Sequence, residues 1–178
     1  MNEARIQRLY DASTIATKVQ ALGETITQDH PDDDPWVVSI IGGSIVFLAD
    51  LVRSIRKPIR YETVQVAYSP SSRGEDLLEI HYPISLDVQD QAVVIVKDVV
   101  STGVTETYLV SQFLQGGASK VEIATLLDLP EERRADLETD YRVFSPKRVG
   151  TFVGYGLKYE GRYGNLPYLG RIDPGRES

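Results

Sequence analysis

Val93–Thr105 reads VVIVKDVVSTGVT, an apolar, β-branched run that passes two charged residues and enters a Ser/Thr/Gly loop. Ala92–Val96 (AVVIV) suits a strand covered on both faces, and Lys97–Thr105 is expected to follow it as the loop. The loop opens a helix predicted to reach about Gln115, where Gly116 and Gly117 supply the stop. Backbone N–H groups at a helix start lack intrahelical partners and carry partial positive charge, so they can receive a phosphate. Gly103 permits close approach beside Ser101 and Val104, and Thr102 and Thr105 add hydroxyl donors. Asp98, at the carboxyl end of the strand, can accept hydrogen bonds from sugar hydroxyls. Ser and Thr also cap helices for purely structural reasons, and spacing alone does not separate the two readings.

Outward from this stretch the same alternation recurs. Ile15, Val19, Leu22 and Ile26 repeat at helical spacing and predict a helix from about Ser13 to Thr27. His30–Pro35 (HPDDDP) is a turn, and Trp36–Ile41 (WVVSII) a short buried strand broken by Gly42 and Gly43. Ser44 is the expected N-cap of an almost wholly apolar helix, Ile45–Ile55, which solubility requires to be deeply buried. Tyr61–Ala67 and Val121–Leu127 read as further strands, and Ser69–Asp76 as a surface loop able to close over a ligand. Strands alternating with helices at this spacing predict an α/β fold with an open, mainly parallel, twisted sheet and helices on both faces. The last third, rich in Tyr and Gly, reads as irregular.

A chain of 178 residues suits one domain, 1–178. A net charge of -7 leaves no basic stripe for nucleic acid and argues against anionic membrane surfaces, so an anionic ligand must be held by local geometry. The absence of cysteine excludes disulfides and thiolate metal sites, and fits a cytoplasmic location. The start lacks a signal pattern, and no apolar run approaches the roughly 20 residues that span a bilayer. His30 and His81, in or near loops, give no metal or catalytic spacing.

Val93–Thr105 resembles the phosphoribosyl diphosphate motif of type I phosphoribosyltransferases, an apolar strand followed by two acids, two apolar residues and Asp-Thr/Ser-Gly-x-Thr. Ile40–Leu51 (IIGGSIVFLADL) resembles the pyrophosphate loop and helix of hypoxanthine-guanine phosphoribosyltransferases. Thr125–Arg134 (TLLDLPEERR) resembles their purine-contacting strand end, and Val153–Tyr168 their C-terminal hood. The resemblance runs from about Asp11 to Gly170. It implies the type I fold, with a small hood formed by the N-terminal segment and about 140–170, and pairing of subunits as a homodimer or homotetramer. It also implies transfer of a ribose phosphate to a purine, with Mg²⁺ bridging the diphosphate.

Against that pattern the chemistry-bearing positions are substituted. Ser101 stands where the resemblance places the acid/base Asp, and its hydroxyl is not ionised near neutral pH, so assistance of roughly 10²- to 10⁴-fold should be lost. Lys97 replaces the first acid of the motif, and Lys158 replaces a metal-serving Asp in GLKY. The diphosphate-binding Arg aligns with Gly164, the basic residue of the pyrophosphate loop with Gly42 beside Gly43, and the purine-contacting Lys with Leu129. The local balance shifts by about two positive units, which favours a phosphate held without metal. Drift after loss of activity, with both lysines solvated, gives the same pattern. The 5′-phosphate loop and Asp98 persist, and Phe152 and Val153 fall where the resemblance places the purine-stacking ring and backbone contacts.

Three readings follow. The first is a hypoxanthine-guanine phosphoribosyltransferase-like protein, inactive or strongly impaired, that binds GMP, IMP or phosphoribosyl diphosphate with no certain cofactor. The second is an active salvage transferase using Mg²⁺. The third is a scaffolding protein that keeps only the fold.

Overall fold

The structure is a computed structural model that describes residues 6–70, 76–81, 86–147 and 150–172. After strand β1 (Ile6–Tyr10), helix α1 (Ala12–Asp29) begins at Asp11, whose carboxylate accepts the Thr14 N–H at 2.7 Å. Its buried stripe contains Ile15, Val19, Leu22 and Ile26, the residues whose spacing announced the helix.

β2 (Trp36–Ile40), β3 (Arg60–Pro70), β4 (Asp76–His81), β5 (Ala92–Val100), β6 (Lys120–Asp128) and β7 (Tyr141–Phe144) form one sheet in the order β4-β3-β2-β5-β6-β7. Every pairing is parallel except β3 with β4. α1 and α2 (Ile45–Ser54) pack with Val94 and Val96 on one face, while α3 (Val104–Gln115) packs with Val93 and Ile95 on the other. The α/β architecture with a mainly parallel sheet and helices on both faces therefore stands.

A second sheet, ordered β1-β9-β8, joins β1 to β8 (Thr151–Val153) and β9 (Leu169–Ile172) through antiparallel pairs. With β7 it gives regular structure to much of the last third, which alternation too short and too polar had left looking irregular. Tyr10 stacks on Phe144 with ring centres 3.8 Å apart and ties the small sheet to the large one.

Four local expectations are corrected. β5 runs on through Lys97 and Asp98 to Val100 because the ladder to β6 continues, Lys97 opposite Thr125 and Val100 opposite Asp128, so the loop is only Ser101–Gly103. Ser44 does not cap α2 with its side chain: its own backbone is already helical, and its hydroxyl turns back to the Ile40 carbonyl. α2 is not deeply buried throughout, since Phe47, Leu48 and Leu51 face the core while Ile45 is 56% exposed beside Ile41, at 46%. Residues 69, 70 and 76 of the expected surface loop belong to the paired strands β3 and β4, and 71–75 lie outside the described residues. Among the described residues no helix is long and apolar enough to cross a membrane.

Candidate functional site

The chain proceeds from β2 outward to β3 and then returns to place β5 on the other side of β2. The loops that leave β2 and β5 therefore diverge, and a crevice opens between them at the carboxyl ends of the strands. A cavity of about 460 Å³ occupies that place. Gly42 and Gly43 from the β2 loop, and Asp98 and Ser101 from β5 and its loop, form one side of its lining. Leu129, Phe152 and Leu157 give it an apolar wall, and Lys158 adds a cation. Residues scattered from 42 to 158 in the sequence are thus brought to one space.

Asp98 is the centre of the polar side. Lys97 pairs with its Oδ1, and the same oxygen accepts the Val99 N–H at 2.9 Å. The other oxygen lies over Gly43, where an added β-carbon would stand 2.3 Å from Oδ2. Glycine at 43 is what lets the β2 loop lie against the carboxylate. Gly42, at φ +152° with open space around it, takes a backbone conformation that a side chain would strain.

The loop beyond Asp98 is fastened from outside. The Arg133 guanidinium donates to the Ser101 carbonyl at 3.1 Å and pairs with Asp128, while the N–H groups of Arg134 and Ala135 donate to the Thr102 carbonyl at 3.0 and 3.1 Å. Gly103 takes φ +77°, and Arg133 and Leu137 fill the place its side chain would need. The loop's carbonyls are thus engaged. Among the described residues its N–H groups, from Ser101 to Val104, donate to no protein acceptor. Partly buried donors without acceptors are the feature an anion would satisfy. Gly103 rather than Ser101 occupies the N-cap position of α3, with no side-chain cap bond.

Lys158 lies across Gly164. A β-carbon at 164 would stand 3.0 Å from Lys158 Cγ and 3.4 Å from its Cε. Positions 158 and 164, named separately in the sequence, are therefore neighbours in space, with the Lys158 side chain lying over Gly164.

Other predicted residues fall differently. Val153 is fully buried in the small sheet and does not line the cavity. Thr102, Gly103, Val104 and Thr105 follow Ser101 in the loop and into α3 and are not among the lining residues, while Lys97 meets the site by pairing with Asp98. His30 is buried at the end of α1, between Asp33 at 3.1 Å and Glu122 at 2.9 Å, toward the amino end of β6 and away from the cavity. His81 ends β4.

Some residues escaped the sequence reading, among them Leu157 and Glu132 in the cavity lining. Arg133 was visible only as part of the Thr125–Arg134 segment. Glu106 sits in the first turn of α3, 4% exposed, on the same buried face as Leu109 and Phe113. Burial raises its carboxyl above the usual glutamate range, against the opposing pull of its own amide, Lys97 and Arg133. An acid three positions before a buried leucine was the available signal.

Comparison with known proteins gives a consistent picture. The family model described as the phosphoribosyl transferase domain matches residues 6–160. The hypoxanthine-guanine phosphoribosyltransferase of Bacillus subtilis is 32% identical over 93% of this chain and 92% of its own length. That of Streptococcus pneumoniae is 37% identical over 90% of this chain and 88% of its own. Among solved structures, a hypoxanthine phosphoribosyltransferase from Staphylococcus aureus superposes with a TM-score of 0.87 at 28% identity, covering 99% of this chain and 96% of that one. The enzyme of Trypanosoma cruzi in complex with its product IMP gives 0.86 at 25% identity, covering 98% and 97%.

Proposed function

The chain belongs to the phosphoribosyl transferase domain family, and from that premise we propose that its cavity binds a purine nucleotide or a phosphoribosyl phosphate, with transfer chemistry absent or strongly impaired. The observation that carries the reading is the loop after β5. Among the described residues its N–H groups from Ser101 to Val104 have no protein acceptor, while the residue that lines the cavity there is a serine. The first half supports an anionic ester at the loop. The second leaves no group at that point able to exchange a proton near neutral pH.

The rest of the cavity supports the same ligand class. Phe152, Leu129 and Leu157 offer an apolar wall to a flat base, and the IMP bound by the T. cruzi neighbour supports the choice of a purine monophosphate. The exposed Ile41 and Ile45 support pairing into a homodimer or homotetramer.

Calorimetry with GMP, IMP and phosphoribosyl diphosphate tests binding, and silence toward all three would refute it. An active transferase is the alternative, favoured by similarity along nearly the whole length of known enzymes. A turnover assay over hypoxanthine, guanine, xanthine and adenine separates the two, and rates typical of ordinary enzymes would establish the alternative.

A further inference from the structure

The Mg²⁺ that the family resemblance implies does not fit the residues present. A hard divalent ion needs carboxylate oxygens free to face it. Asp98 is the carboxylate that β5 brings to the cavity, and its Oδ1 already holds the Lys97 ammonium and the Val99 N–H, while Oδ2 lies against Gly43. Lys97 itself is only 23% exposed, so its charge is not dispersed in solvent. Lys158, an exposed residue, adds a second cation to the cavity lining. Glu132 also lines the cavity, but among the described residues no three His, Asp or Glu side chains gather where they could hold a metal ion.

We propose that this site binds its phosphorylated ligand without a divalent ion, because Lys97 occupies the cation's place on Asp98 and Lys158 supplies the second positive charge. The proposal takes its ligand class from the nucleotide reading above, but its claim about the metal stands apart from it. A divalent ion approaching Asp98 would have to displace an ammonium already in contact and would then stand beside it, so charge repulsion adds to the lost pairing. The side-chain carbons of Lys158 lie over Gly164, and this exposed lysine brings a positive charge to the rim of the cavity. Both cations come from the chain, so ligand affinity is set by two lysines and not by the concentration of metal.

Manganese(II) is the probe, since electron paramagnetic resonance separates free from bound ion, and it is used alongside calorimetry with GMP. The intact chain is expected to leave added Mn²⁺ free, with or without GMP, and to bind GMP equally in MgCl₂ and in chelator. Lys97→Glu is expected to create Mn²⁺ binding at least ~tenfold tighter than in the parent chain. If that variant does not fold, Lys97→Gln, which frees Asp98 without adding charge, carries the same expectation. Saturable Mn²⁺ binding by the parent chain that Asp98→Asn abolishes would overturn the proposal, as would a GMP affinity that drops ~tenfold in chelator. If GMP binds under neither condition, the nucleotide reading fails while the Mn²⁺ titration still decides this one.

Discussion

The Arg133 guanidinium spans two partners, donating to the Ser101 carbonyl at 3.1 Å with one nitrogen and pairing with the Asp128 carboxylate through the other. Asp128 is 2% exposed and also accepts the Thr139 hydroxyl at 3.0 Å, so the guanidinium is itself held by a buried anchor. The curvature of the Ser101–Gly103 loop is in this way referred to β6.

Arg133→Ala should therefore act on both stability and binding. Among the described residues it leaves a buried carboxylate with only Thr139 and the more distant Arg142, at 3.5 Å, and is expected to cost about 3 kcal/mol in urea denaturation. GMP affinity should fall with it, because the loop's N–H groups lose their fixed direction. A variant that melts lower yet binds GMP like the parent would separate the anchor from the loop.

Gly43→Ala tests the contact between the β2 loop and Asp98. The new methyl would stand 2.3 Å from Oδ2, so either the carboxylate or the loop must move. Calorimetry should show GMP affinity reduced by about tenfold or more, and unchanged affinity would mean that Asp98 does not reach the ligand.

Ser101→Asp places a proton-exchanging group on the cavity wall. Turnover with hypoxanthine or guanine and phosphoribosyl diphosphate should rise from the parent level by up to about 10²-fold, the low end of acid/base assistance, since the two lysines stay in place. No rise at all would show that proton transfer at this position does not limit turnover.

Glu106 makes a prediction about pH. Its carboxyl is raised in the folded chain, chiefly by burial. Its contribution to stability is then full in acid, where folded and unfolded chains both hold the proton, and is lost as pH rises from the ordinary glutamate range through the folded value. Chemical denaturation of the parent and of Glu106→Gln across that range should show the parent losing stability relative to the variant as pH increases. A flat difference would contradict the burial effect.

Tyr141 tests the polar cluster at the far end of the sheet. Its hydroxyl donates to Glu122 at 3.0 Å and lies 3.1 Å from Asp29, while His30 and Lys120 meet the same Glu122 carboxylate. Tyr141→Phe should cost about 1 to 2 kcal/mol without altering GMP binding, since the cluster lies away from the cavity. Lost binding would reveal a coupling through β6 and β7.

How far these features were legible in the sequence depended on range. α1 could be read because Ile15, Val19, Leu22 and Ile26 repeat within one helix, and the buried strands β2 and β5 because β-branched residues cluster over a few positions. The cavity's Gly42, Gly43, Asp98, Ser101, Leu129, Phe152 and Lys158 could be named through motif order, which carries information across the chain that periodicity does not. β1 was missed because IQRLY gains its strand character from β9, more than 150 residues away. The match of Lys158 to Gly164, the closeness of Gly43 to Asp98 and the reach of Arg133 to Ser101 are distances between backbones, and no local pattern encodes them. The exposed side of α2 was likewise hidden, since an apolar residue in the sequence does not declare whether a neighbour covers it.

The pairing of Ile6 with Ile172 and of Gln7 with Arg171 sets an order of events at the ribosome. β1 has no edge to join until β9, made long after it, has emerged. While the nascent chain lengthens, the parallel sheet can assemble in the order β2, β3, β5, β6, but the small sheet beside the cavity cannot. The nascent protein meets the cell's metabolites with that part of its architecture unfinished, and only the synthesis of β9 supplies the missing partner.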